Sequence, residues 1–151
     1  MSSYKVAVLM GSSSDAEKMA PAAEMLEKFG VEVDVHVMSA HRTPERVASL
    51  ARNARADGYG AIICGAGMAA HLAGAVAAQT TLPVIGVPLS GGALNGVDAL
   101  YSTVQMPRGI PVATVAVNGS GNAALLAMQM FAITDPDLAA ALDAHRAEMA
   151  G

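Results

Sequence analysis

Five short apolar segments alternate with segments of helical pattern along the chain, and this order is the strongest constraint on its fold. The apolar segments are KVAVLM (5–10), VEVDVHVM (31–38), AIIC (61–64), VIGVPL (84–89) and VATVAV (112–117). Strands that alternate with helices favour a parallel sheet, because each helix carries the chain back to start the next strand in the same direction. The sequence therefore predicts a three-layer α/β fold, with a five-stranded parallel sheet and helices on both faces.

The second apolar segment differs from the others because polar residues interrupt it at every second position. Valines at 31, 33, 35 and 37 alternate with Glu32, Asp34 and His36. Such alternation is typical of a strand with one solvated face, so we place this strand at the edge of the sheet. The resulting strand order is 2-1-3-4-5, the flavodoxin-like arrangement, in which ligands bind at the C-terminal ends of the strands near the switch point between strands 1 and 3.

Helix signals fill the intervals between the strands, and all 151 residues are predicted to form a single domain. Ser14 and Glu17 form a capping-box pattern for a helix that ends near Phe29 and that Pro21 should kink. Thr43 and Pro44 are typical of the start of a second helix, which we expect to end near Gly58. Further helices are expected at about 69–79, 96–105, 119–133 and 136–149, the last packing on the domain or on a neighbouring subunit.

Charged residues are absent from two long stretches, 58–97 and 109–134. Glycines, prolines and polar residues interrupt the apolar segments before the roughly 20 residues that a membrane span needs, so no membrane association is expected. Burial in subunit interfaces explains the stretches better, and we predict a homo-oligomer. The helix at 119–133 is apolar all round and is expected to lie in such an interface.

Charge and composition exclude several classes of function. The net charge of −4 and the lack of a basic cluster argue against a nucleic-acid partner. The four histidines and Cys64 lack zinc-ligand spacing, so no metal is expected. A flavin carrier is disfavoured because it would need aromatic rings that stack on the flavin. A phospho-acceptor domain is disfavoured because it would need acidic loops after strands 1 and 3. The lone cysteine and an N-terminus without room for a signal peptide predict a cytoplasmic protein.

Three loops at strand ends carry the candidate site: GSSSD (11–15), SAHRTP (39–44) and GAGMAAH (65–71). In the first, serine hydroxyls and free helix N–H groups can hold a phosphate, and Asp15 can accept hydrogen bonds from ribose hydroxyls. Plain capping by Ser14 and Asp15 is the alternative interpretation.

The second loop places His41 beside Arg42 at the start of a helix, where a cation is electrostatically unfavourable. A bound phosphate would reverse this effect, and a guanidinium suits phosphate. An imidazole exchanges protons near neutral pH, so His41 is the candidate acid and base. The alternative is a solvated arginine and a histidine satisfied by backbone.

The third loop offers free amides that could bind a carboxylate or carbon dioxide. His71 follows in an almost entirely apolar helix, and this setting favours a structural histidine over a direct chemical role.

Several segments together resemble the bacterial class of 5-(carboxyamino)imidazole ribonucleotide mutases. They are GSSSD, SAHRTPE, GAGMAAHLAG, LNGVDALYSTVQMPRGIPVATVAV and NAALLAMQ, and the resemblance extends from about Val6 to Ile133. Arg42 in AHRTP and His71 in AAHL favour the mutase over its relative that carboxylates aminoimidazole ribonucleotide directly with carbon dioxide. That carboxylase remains the alternative. The chain departs from the family pattern at Met68, where a glycine is common, and at Ala73, where proline is usual.

The resemblance implies an enzyme of purine biosynthesis that needs neither cofactor nor metal. It would move a carboxylate of a ribonucleotide substrate from the exocyclic nitrogen to carbon 4 of the imidazole. The implied acid and base is His41. In the mechanism we infer, carbon dioxide is released and recaptured, and His71 orders the cavity wall. The family is octameric, with sites near subunit boundaries. The residues expected to bind substrate or carbon dioxide are Ser12, Ser14, Asp15, Ser39, Arg42, Gly67, Ala70 and His71.

Overall fold

The five strands form one parallel sheet in the order β2-β1-β3-β4-β5. The computed structural model describes residues 3–151, so Met1 and Ser2, where the expected domain begins, lie outside the described residues. The strands are β1 (Lys5–Met10), β2 (Glu32–Val37), β3 (Ala61–Gly67), β4 (Val84–Leu89) and β5 (Ala113–Thr114). The expected fold class and strand order are confirmed. Strand β5 is shorter than the expected 112–117.

Within the described residues, six helices pack around the sheet, and a 3₁₀ turn at Ser13–Asp15 precedes the first of them. The helices are α1 (Ala16–Lys28), α2 (Pro44–Asn53), α3 (Leu72–Ala77), α4 (Val97–Val104), α5 (Ser120–Ala132) and α6 (Pro136–Ala150). Within residues 3–151, none of them combines the length and hydropathy that crossing a membrane would require.

Each face of the sheet has its own hydrophobic cluster because side chains alternate along a strand. On β1, Val6 and Val8 point into the cluster that α1 and α5 cover. Ala7 and Leu9 point into the opposite cluster, which α2 and α3 cover. Cys64 lies in the second cluster, where burial raises the pKa of its thiol. The thiol therefore packs as a small apolar group.

Strand β2 lies at the edge of the sheet, as its alternating pattern predicts. Val35 and Val37 are 51% and 44% exposed. On the other face, the Asp34 carboxylate accepts a hydrogen bond of 2.6 Å from the Tyr59 hydroxyl and lies 3.1 Å from the Lys5 ammonium. These contacts tie the edge strand to its neighbours.

The predicted cap of α1 is wrong, whereas that of α2 is correct in position, because Thr43 is the N-cap residue and Pro44 begins the helix. Ser12, rather than Ser14, caps the turn before α1, since its hydroxyl accepts the Ser14 N–H at 3.3 Å. The Thr43 hydroxyl does not cap α2. It accepts the Ser39 N–H at 2.9 Å and lies 3.0 Å from the Ser39 carbonyl oxygen, so it closes the preceding loop instead.

The helix ends also differ from the sequence prediction. Helix α2 stops at Asn53 and turns lead on to Gly58, while α3 begins at Leu72 rather than near 69.

Helix α5 packs its buried residues against α1 and the sheet of the same chain, so an intersubunit interface is not needed to explain them. Helix α6 begins as predicted, because the Asp135 carboxylate accepts the Leu138 N–H at 3.1 Å. It packs on α5 through Leu138 and Leu142.

Candidate active site

The three predicted loops meet at the C-terminal edge of the sheet and enclose a cavity of about 540 Å³. Because parallel strands all end at the same edge, loops distant in sequence become neighbours there. The cavity is lined by these expected site residues: Ser12, Ser14, Asp15, Ser39, His41, Arg42, Gly67 and His71.

An imidazole pair lies in this cavity. His41 Nε2 is 2.6 Å from His71 Nδ1, and the two rings meet edge to face with centroids 4.8 Å apart. One of the two nitrogens carries a hydrogen and donates it in a hydrogen bond, and the other nitrogen accepts that bond. The apolar pattern around His71 favoured a structural role, whereas the structure places its ring directly against the candidate acid and base.

The loop after β2 is closed by its own serine. The Ser39 hydroxyl accepts the N–H groups of His41 at 3.2 Å and Arg42 at 3.1 Å. Thr43 closes the same loop from the other side through its bonds to Ser39. His41 and Arg42 therefore project from a loop that local side-chain hydrogen bonds close on both sides.

The loop after β1 presents hydroxyls and one carboxylate. The hydroxyls of Ser12 and Ser14 lie 2.9 Å apart. Burial raises the pKa of Asp15, while the positive charge of Lys18 and a hydrogen bond with the Ser12 backbone lower it. The carboxylate is thus partly desolvated, and it makes no side-chain hydrogen bond that caps α1.

The loop after β3 differs from the expectation at Ala70. Its N–H group donates to the Ser102 hydroxyl at 3.2 Å, and Ala70 is buried outside the cavity lining. That amide is already used by the fold and is not free to bind a carboxylate. Gly67 does line the cavity, next to Met68, which has a left-handed φ of 50° and is 59% exposed.

A fourth loop, which the sequence analysis did not assign to the site, completes the cavity wall. It contains Ser90, Gly91 and Gly92 after β4, and Lys18 reaches it from α1. The Lys18 ammonium donates to the Ser90 carbonyl oxygen at 2.6 Å. Both features leave a signal in the sequence: paired glycines follow a strand, and a lysine lies in the first turns of a helix.

The site therefore combines an imidazole pair, the cations Lys18 and Arg42, one carboxylate and several hydroxyl groups. Such a set can bind an anionic, hydroxyl-rich ligand and move protons on it. Among residues 3–151, no three His, Cys, Asp or Glu side chains are grouped so that they could hold a metal ion.

Known proteins resemble this chain over nearly its whole length. The family model described as AIR carboxylase matches residues 5–151. The chain is 52% identical to the N5-carboxyaminoimidazole ribonucleotide mutase of Pyrococcus abyssi, covering 96% of this chain and 83% of that protein. It is 53% identical to the phosphoribosylaminoimidazole carboxylase of Schizosaccharomyces pombe over 95% of this chain. That match spans only 26% of the yeast protein.

A solved structure gives the same result at the level of the fold. The crystal structure of Treponema denticola PurE superimposes with a TM-score of 0.87 at 34% identity, covering 97% of this chain and 91% of that one. The resemblance seen in the sequence motifs is thereby confirmed: this chain belongs to the AIR carboxylase family.

Proposed function

We propose that this protein converts N5-carboxyaminoimidazole ribonucleotide to 4-carboxy-5-aminoimidazole ribonucleotide, as an isomerase of purine biosynthesis that uses no cofactor or metal. The observation that carries the proposal is the imidazole pair of His41 and His71 in a cavity that also holds Lys18 and Arg42. The mutase relative at 52% identity over 96% of the chain supports it.

Substrate binding uses the anionic and hydroxyl groups of the ribonucleotide. The exposed Arg42 guanidinium pairs with the phosphate, which also receives hydrogen bonds from Ser12 and Ser14 at the start of α1. The Asp15 carboxylate accepts hydrogen bonds from the ribose hydroxyls. This arrangement directs the imidazole base of the substrate toward His41.

In the reaction, His41 gives up one proton and later takes one back. His41 gives a proton to the exocyclic nitrogen, the bond between that nitrogen and the carboxyl carbon breaks, and carbon dioxide is released. Carbon 4 attacks the carbon dioxide, and the proton displaced from carbon 4 returns to His41. Atoms and charge balance without a further reactant. At 2.6 Å, His71 orients the His41 ring and can share its proton during the cycle.

Carbon dioxide must stay in the cavity between the two steps, since its escape would end the reaction. Gly67 and Ser39 line the cavity and are the groups we assign to hold it. The Ala70 amide has no part in this, because it donates to Ser102.

The direct carboxylase is the second candidate. The 53% identity to the Schizosaccharomyces pombe carboxylase favours it, although that protein is far longer than this chain. The two activities differ in substrate: one uses the carboxyamino compound, and the other uses aminoimidazole ribonucleotide with free carbon dioxide.

A substrate-choice assay at low carbon dioxide tests the proposal. We expect the wild-type protein to consume the carboxyamino compound and to leave aminoimidazole ribonucleotide with bicarbonate largely unchanged. The variant His41→Asn should lose at least ~10²-fold in rate, because it lacks a titratable ring. Turnover of aminoimidazole ribonucleotide alone would instead support the carboxylase, and wild-type rates for His41→Asn would refute the role of His41.

We also infer that the protein is a single-domain homo-oligomer in the cytoplasm, with an octamer implied by the family resemblance. The support is an apolar face on α4 and the preceding loop, where Leu94, Val97 and Tyr101 are 60%, 49% and 63% exposed. Contiguous exposed apolar side chains are typical of protein interfaces. The lone Cys64 suits a reducing compartment.

A further inference from the structure

Lys18 makes a contact that spans the cavity wall. It lies in the first turn of α1, yet its ammonium donates to the carbonyl oxygen of Ser90, 72 positions further along the chain, at 2.6 Å. A cation near a helix N-terminus is unfavourable for the helix dipole. The helix dipole therefore does not account for a lysine at position 18, whereas the contact of its ammonium with Ser90 does.

Two side chains from other parts of the chain bind the loop that Lys18 contacts. Gly91, Gly92 and Gly96 have φ values of 145°, 67° and 99°, so much of the loop is in conformations that glycine adopts and other residues avoid. Asn118 binds one side of the loop: its side chain accepts the Ser90 N–H at 3.0 Å and donates to the Ser90 hydroxyl at 2.8 Å. Lys18 binds the remaining backbone group of Ser90, its carbonyl oxygen.

Lys18 also acts on the carboxylate in the cavity. Burial raises the pKa of Asp15, and the positive charge of Lys18 is the first of the influences that lower it. His41, Arg42 and His71 line the same cavity from the loops after β2 and β3. Lys18 differs from these three residues in two ways. It follows Asp15 by three positions at the start of α1, and it is partly buried.

We propose that Lys18 is a positioning residue of the active site: its ammonium ties the loop after β4 to α1 and places a positive charge next to Asp15 in the lining of the same cavity. This inference rests on the proposed function. Its two parts are separable, because a neutral hydrogen-bond donor can replace the tie to Ser90 but cannot replace the charge.

Three variants separate the two parts. Lys18→Arg keeps both charge and donor, Lys18→Gln keeps a donor only, and Lys18→Met removes both. Without the positive charge, the Asp15 carboxylate holds its proton up to a higher pH, so the acid limb of the kcat/KM profile should move to higher pH in Lys18→Gln and Lys18→Met. Lys18→Met should also lose roughly tenfold in kcat/KM on the plateau, mainly through KM, because the loop loses a charge-assisted hydrogen bond. Lys18→Arg should restore both values.

Lys28→Met is the matched control. Lys28 is on the same helix, and its ammonium lies 3.3 Å from His145 Nδ1, in the region of α6 rather than in the cavity lining. This variant removes the same charge from α1 and should leave both the acid limb and the plateau unchanged.

A carbon-13 NMR titration of the Asp15 carboxyl group separates this inference from the proposed function. The Asp15 midpoint should be higher in Lys18→Met than in the wild type and in Lys28→Met, whichever substrate the enzyme uses. An unchanged midpoint, or a wild-type acid limb and KM in Lys18→Met, would overturn the role of Lys18. Failure of the wild type to consume the carboxyamino compound, together with a shifted midpoint, would overturn the proposed function alone.

Discussion

Asp15 is a side chain whose negative charge lowers the stability of the folded protein. Burial raises the pKa of its carboxyl group from the ordinary value of aspartate, so the folded protein disfavours the ionised form relative to the unfolded chain. The folded state binds the proton more tightly, and stability therefore falls as the pH rises from the unfolded pKa through the folded one. At neutral pH the carboxylate therefore opposes folding, a cost that fits the role in ligand binding that we propose for Asp15.

We predict that Asp15→Asn stabilises the substrate-free protein at pH 7 by up to about 1 kcal/mol and raises KM. The stability gain is small because the carboxylate is only partly desolvated. Urea denaturation at pH 7 and again near pH 4 measures the gain, which should shrink at the lower pH as the wild-type carboxylate becomes protonated.

Asp137 provides the comparison for this variant. It is an exposed aspartate in the first turn of α6, where a negative charge favours the helix dipole. Asp137→Asn should not increase stability at pH 7. If Asp15→Asn is no more stable than the wild type at pH 7, the proposed desolvation cost is absent.

Among the structural elements, the loop after β3 contains a left-handed residue that is neither glycine nor asparagine. Met68 has a φ of 50°, which a residue with a Cβ adopts at a cost of about 1–2 kcal/mol. Its side chain extends over the next loop, since a Cβ added at Gly92 would lie 3.1 Å from the Met68 sulfur. The methionine thus links two loops of the cavity wall at the position where the family commonly has glycine.

Two substitutions at this position separate strain from contact. Met68→Ala and Met68→Gly both remove the contact with Gly92, but only glycine relieves the left-handed φ. We predict that Met68→Gly is more stable than Met68→Ala by about 1 kcal/mol in chemical denaturation, after allowing for the greater freedom of glycine in the unfolded chain. Equal stability of the two variants would show that the backbone there is not strained.

For the molecule as a whole, the surface of α4 is the feature that a monomer does not explain. Val97, Tyr101 and Val104 follow one another at helical spacing and are 49%, 63% and 43% exposed. They adjoin the long stretch of chain without charged residues at 58–97. An apolar stripe of this kind is expected to be covered by another subunit.

We predict that Tyr101→Glu shifts the protein to smaller species in analytical ultracentrifugation, because a charge in an apolar interface is left without a partner. Ala56→Glu is the control: Ala56 is exposed between Arg55 and Asp57 on a charged surface, and this variant should sediment as the wild type does. A wild-type protein that sediments as a monomer would contradict the proposed assembly.

The sequence by itself determined the strand order and the three loops that meet at the cavity. Both follow from local patterns: the strands are recognised by their apolar periods, and parallel strands must all end at one edge. The alternating valines placed β2 at the edge correctly, and the motif resemblance identified the family. The helix starts are harder to predict from sequence. Several adjacent serines can supply the same cap, and each side chain can accept a hydrogen bond from more than one neighbouring N–H group.

Only the tertiary structure decided which side chains within those loops contact one another. His71 meets His41 across 30 positions of sequence, Lys18 reaches Ser90 across 72, and the Ala70 amide is taken by Ser102 across 32. Such contacts depend on how loops from different strands face each other once the sheet is assembled. A sequence pattern records the environment of a residue along its own element, and it carries no information on the partner that packing brings from another element.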